Sequence, residues 1–174
     1  MATLVFACGK GDSAADLDRM ISDEQVEYEE AIDVNMIYSD SAIIRVNVSG
    51  PRLLRYVDRS NQKQEFPDGI KVVFYSPNGR SQSTLTAKYA TRLDKNNEIT
   101  IRDSVIWKSY DGKRLETEEL IWNEREERVY SNRFVKIVKP DEVIYGYGFE
   151  ANQEFTEWTI NAVEGEFLRT MIDQ

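Results

Sequence analysis

The chain has 174 residues, 41% hydrophobic and 30% charged, which fits one folded domain with a real core and excludes both a disordered polymer and a spanning helix of roughly 18 apolar residues. Its net charge of -9 is spread along the sequence and argues against a nucleic-acid partner, which needs basic patches to neutralise phosphates. Histidine is absent and cysteine occurs once, so histidine-based triads, histidine-ligated metals, an intramolecular disulfide and a thiolate zinc cage are all excluded.

The first eight residues are MATLVFAC, in which Leu4-Val5-Phe6-Ala7-Cys8 has the form of a lipobox: apolar residues, a small residue, then the cysteine that is acylated after cleavage. Secretory signals carry a basic region and a longer apolar run. The written start is therefore expected to lie inside such a signal or to have been trimmed, with Cys8 as the lipidation site. Residues 9–32 are small, polar and acidic and are expected to be a solvated linker.

From Asp33 the hydropathy alternates. Val34, Met36 and Tyr38 form one run and Ile44, Val46 and Val48 another, with Ser39-Asp40-Ser41 between them and Gly50-Pro51 after. This predicts a hairpin. Residues 52–66 are less regular, and Phe66-Pro67-Asp68-Gly69 is a turn that opens a strand over Ile70 to Tyr75.

A repeat follows. Aligning Leu85, Leu115 and Ile144 brings Ala87, Thr117 and Gly146 into register, then Ala90, Leu120 and Phe149, then Ile99, Val129 and Trp158, and finally Val105, Val135 and Val163. The period of about 30 residues signals stacked units, each too small to bury its own apolar face. Turn residues open each unit at Tyr75 to Gly79, Tyr110 to Gly112 and Lys139 to Asp141, and polar stretches at Asp94 to Glu98, Asn123 to Glu127 and Ala151 to Glu154 divide it. The remaining residues alternate with period two, which predicts strands with one wet and one buried face. The expected architecture is all-β, with nine to twelve strands in an antiparallel sheet folded over on itself.

These units resemble the LptC family of lipopolysaccharide export. The likeness lies in Tyr38-Ser39-Asp40, in Phe66 to Ile70 with Val73-Phe74-Tyr75, and in Ser83 to Ala87. It continues through Leu115 to Trp122, Val129 to Asn132 and Ile144 to Asn152, with wording similar to the Bacteroidetes branch. The resemblance covers about Asp33 to Phe167 and implies an open antiparallel β-jelly roll, two facing sheets with lipid A acyl chains of lipopolysaccharide held between them. It implies a periplasmic carrier at the inner membrane, loaded by LptF/LptG-like transporter domains and unloaded to an LptA-like bridge protein, with no cofactor and no catalysis. The proteobacterial members have an N-terminal transmembrane helix, for which the lipobox would substitute here. The domain division is then 1–8 signal or lipobox, 9–32 linker, 33–168 jelly roll and 169–174 tail.

The expected groove lining is the inward set of the repeat: Leu85, Ala87, Ile99, Ile101, Val105, Trp107, Leu115, Leu120, Trp122, Val135, Ile137, Gly146, Phe149 and Ile160. The small residues Ala87 and Gly146 are expected to leave room for lipid. The partner edges are expected at Val34, Met36 and Tyr38 on one side and at Trp158, Ile160 and Val163 on the other. Two rival readings use other residues. A carbohydrate-active enzyme would pair carboxylates such as Glu116 with Glu118 or Glu124 with Glu126, and a lipid-anchored carbohydrate-binding or adhesion module would expose Tyr145, Tyr147 and Trp158. A soluble bridge protein of the same fold would need neither the cysteine nor the spacer.

Overall fold

The computed structural model describes residues 27–57, 62–93 and 95–163. Cys8, most of the expected linker and the chain after Val163 lie outside them. The described residues form eleven strands: β1 (Tyr28–Asp40), β2 (Ile43–Tyr56), β3 (Lys63–Phe66), β4 (Ile70–Tyr75), β5 (Ser81–Ala87), β6 (Tyr89–Leu93), β7 (Glu98–Ser109), β8 (Arg114–Asn123), β9 (Arg128–Lys139), β10 (Glu142–Asn152) and β11 (Trp158–Val163). Every pairing is antiparallel, and the predicted turns fall between strands as the repeat requires. The all-β jelly-roll expectation is met.

β1 begins earlier than the alternation suggested. Tyr28 to Ile32 pair with Arg52 to Tyr56, so the last five residues assigned to the linker, and the irregular stretch after Gly50-Pro51, are strand. Local hydropathy is weak there because both segments carry ion-pair partners, Arg52 with Glu30 and Arg55 with Glu29. Pairing between distant segments overrides a poor local pattern.

The sheet is folded along a crease. β2 pairs with β4 through 46–49 but with β3 through 54–56, and β7 pairs with β6 through 98–102 but with β5 through 106–109. The same break runs through the neighbouring strands as register shifts at Arg102/Val105, Thr117/Ile121 and Tyr147/Phe149. It is also marked by left-handed backbone at Asp33, Asp103 and Ser104. Extra residues of this kind bend a strand and increase its twist. One half-sheet therefore contains 34–49, β4, β5 and 105–109 with their continuations in β8 to β10; the other contains 28–32, 52–56, β3, β6 and 98–102 with theirs. We call them half-sheets I and II. At the crease of β2, a Cβ on Gly50 would lie 2.7 Å from Phe66 Cδ1 and 2.8 Å from the Gly69 carbonyl oxygen, so the close approach of Phe66 and Gly69 to β2 here requires a residue without a side chain.

Bulges free backbone groups, which must find other partners. Thr117 Oγ1 donates to the Phe134 carbonyl at 2.8 Å and Ser131 Oγ accepts from the Arg133 amide at 3.1 Å, both at the crease of β8 and β9. This explains why Thr117 and Ser131 are buried polar residues in an apolar interior. The rim of half-sheet II is tied from turn to turn, Glu124 N to Asn97 O at 2.9 Å and Gln153 N to Glu127 O at 3.2 Å. Between the halves lies one core, centred on Leu115, Leu120, Val105 and Val135, each contributing on the order of 1.5–3 kcal/mol by burial.

Candidate functional site: the interior and its two ends

Residues directly opposite each other in a sheet share a face, so the registers define the inner surface row by row. On half-sheet I one row runs Met36, Val48, Val72, Leu85, Trp107, Leu115, Ile137, Ile144. It is apolar across eight strands, roughly 34 Å at about 4.8 Å per strand. On half-sheet II the corresponding row runs Glu29, Arg55, Gln64, Arg92, Ile99, Trp122, Val129, Ala151, Trp158. Its polarity switches between Arg92 and Ile99. The interior is thus dry on both sides beneath the repeat units and wet on one side near the N-terminal edge, where Arg92 pairs with Glu124 at 3.1 Å and Arg55 with Glu29 at 3.7 Å.

The expected lining residues all come to this interior. Leu85, Ile101, Val105, Trp107, Leu115, Leu120, Val135, Ile137 and Phe149 are buried, and Ala87, Ile99, Trp122 and Ile160 pack half-buried against them. Gly146 requires a correction. A Cβ there would collide with Ile160 Cγ2 and the Ala162 carbonyl oxygen, so the glycine lets β11 approach β10 and leaves no room. Ala87 does border open space, a concavity of ≈ 560 Å³ at the crease shared with Asp33, Val34, Gly50 and Ile70.

The two ends of the interior differ. At the N-terminal edge Val34 and Met36 are half-buried, Tyr38 and Ile44 are exposed, and β1 has β2 as its only partner strand among the described residues. At the C-terminal end the halves meet. Phe155, in the β10–β11 turn, stacks on Trp107 with ring centroids 4.6 Å apart. Lys139 Nζ from half-sheet I lies 4.9 Å over the Trp158 ring of half-sheet II, and is also 2.8 Å from Glu142 Oε2. β11 pairs with β10 only from Gly146 to Ala151, so among the described residues both flanks of the fold present backbone without a further strand partner, with Val163 exposed at the second.

Sequence reasoning missed Phe155 altogether, and it missed Leu53, Phe66, Ile70 and Val72 as interior residues. A lone aromatic within the polar stretch Gln153 to Glu157 was the available signal. The three aromatics of the rival binding module do not share one face. Tyr145 and Tyr147 flank Phe134 on the outer face, at 6.0 and 5.3 Å, whereas Trp158 pairs with buried Ala151 and packs inward. Glu116 and Glu124 are each held in an ion pair, with Arg114 at 2.6 Å and Arg92 at 3.1 Å.

On the outer face of half-sheet II, Glu65 accepts from Tyr56 at 2.7 Å and Tyr89 at 2.6 Å and meets Lys63 at 2.6 Å. Burial works to raise its carboxyl, but Lys63, Tyr89 and Tyr56 together hold it below the usual range. The hydrogen bond to Glu65, reinforced by burial, pushes the Tyr56 phenol up to about 12. This cluster fastens β2, β3 and β6 and takes no part in the interior.

Residues 34–168 match the family described as lipopolysaccharide-assembly, LptC-related. No curated protein sequence matches the chain. The family match begins within β1, runs through every later strand and encloses the whole repeat, so the chain belongs to the LptC-related family of lipopolysaccharide-assembly proteins.

Proposed function

We infer that the protein is a non-catalytic carrier that receives the acyl chains of lipopolysaccharide between its half-sheets and passes them to a like-folded neighbour. Family membership gives it a role in lipopolysaccharide transport. The observation that carries the finer reading is the apolar row from Met36 to Ile144, which begins at an edge strand and crosses half-sheet I without a polar interruption. Burying one methylene is worth about 0.8 kcal/mol, so such a surface binds a hydrocarbon chain with no chemistry required. Two flanks without a further strand partner among the described residues suit strand addition by partners. In this reading Val34, Met36 and Tyr38 face the LptF/LptG-like domains, and Trp158, Ile160 and Val163 face the LptA-like bridge. The domain works in the periplasm, tethered to the inner membrane through Cys8 and a linker that precedes β1.

The test is to extract the full-length protein from native membranes and analyse it by mass spectrometry. Lipopolysaccharide should co-purify with the wild type and be depleted in Val48→Asp, which places a charge in the apolar row. A folded wild type free of lipopolysaccharide would refute the carrier reading. The same spectra should show an acylated N-terminus at Cys8, and an unmodified cysteine would remove the tether.

A further inference from the structure

Phe155 holds a left-handed backbone, φ +56°, a conformation that bulky side chains rarely adopt. Its turn is drawn tight by Asn152, whose Oδ1 accepts from Thr156 N at 2.9 Å and Glu157 N at 3.2 Å and whose Nδ2 donates to Thr156 Oγ1 at 2.7 Å. The result is an aromatic ring inserted from the rim of half-sheet II onto the apolar row of half-sheet I, only 8% exposed although Glu154 and Thr156 on either side face solvent. The ring lies flat on Trp107, 18° from parallel, and 6.2 Å from Phe149.

Two buried donors belong to the same inner surface, Trp107 beneath the ring on half-sheet I and Trp122 on the facing half-sheet II. The indole nitrogens of Trp107 and Trp122 are shielded from solvent and meet no acceptor among the described residues. Buried N–H groups are nearly always satisfied in folded proteins, because an orphaned one keeps its full desolvation cost. Nothing in the surrounding hydrocarbon can accept from them, and neither can an unfunctionalised alkyl chain. A hydroxyl or ester oxygen on an acyl chain can.

We propose that Phe155 is a displaceable plug over an acyl-chain site, and that Trp107 and Trp122 select chains carrying a hydroxyl beyond the carboxyl group. The proposal rests on the carrier reading and gives it a specificity-determining pair and a closed end. The ring swings out with its turn, the chain takes its place against Trp107, and the indole N–H groups gain partners.

The experiment measures equilibrium binding of myristate and of 3-hydroxymyristate to the full chain, each below its micellar concentration. Phe155→Ala should bind both about tenfold more tightly than wild type. It should favour the hydroxylated chain about fivefold, as one net hydrogen bond allows. Adding Trp107→Phe and Trp122→Phe should erase that preference while keeping affinity for myristate. If Phe155→Ala does not fold, Asn152→Ala loosens the same turn with the ring still present, and the same rise in affinity is expected. Wild-type affinity in the plug variants, or a preference that survives loss of both indoles, overturns the proposal while leaving the carrier reading in place. No binding of either chain by any variant overturns both.

Discussion

Replacing Gly146 with alanine should unfasten the C-terminal edge. The added Cβ would overlap Ile160 Cγ2 and the Ala162 carbonyl oxygen; the first belongs to a side chain that can turn, the second to backbone that cannot without moving the strand. β11 is held by only five register pairs, Gly146 with Val163 to Ala151 with Trp158, so detaching its last residues is the least costly response. Overpacking a tight site costs about 1–3 kcal/mol, and for a domain of this size each kcal/mol lowers Tm by about 2–4 °C. The expected fall is therefore roughly 2–12 °C, with early amide exchange at Tyr147 and Ala162. Ala87→Leu, beside the ≈ 560 Å³ concavity, should lose less than about 1 kcal/mol but should impair lipid loading. Thermal unfolding with hydrogen exchange reads both variants. An unchanged Tm and protected β11 amides in Gly146→Ala would refute the close-approach argument.

Proline at Ile160 or Ala162 removes a ladder donor from the edge strand, and should abolish photo-crosslinking to the bridge protein while leaving crosslinking at Met36 to the transporter intact; joint loss in a folded variant would indicate one shared interface. Leu120→Ala, at one of the two most buried positions of the core, should cost about 2–5 kcal/mol, measured by urea unfolding. Tyr56 has a folded-state pKa raised to about 12 from 10, so its contribution is fully present below pH 10 and is lost as pH rises from 10 to 12. The alkaline fall in Tm across that window should be shallower in Tyr56→Phe, and identical profiles would detach Tyr56 from it.

Period-two hydropathy and the repeat placed the strands and turns of the repeat units and much of their inward face, but not the start of β1, the second half of β2 or the inward residues Leu53, Phe66, Ile70 and Val72. Aligning Leu115 with Ile144 carried the inward assignment across the crease, where the inner face passes from Thr117 to Leu120 in β8 and from Gly146 to Phe149 in β10; simple alternation would have failed there, since each bulge shifts the side-chain parity. Alternation says which residues share a face but not what that face meets. Only the folded sheet decides that Phe155 crosses to Trp107, that the inner row turns polar at Arg92, and that Gly146 is filled by β11. The Phe155–Trp107 contact joins segments far apart in sequence, and a contact of that kind leaves no periodic trace in either one; the packing at Gly146 is set by the pairing of β10 with β11, which alternation does not report.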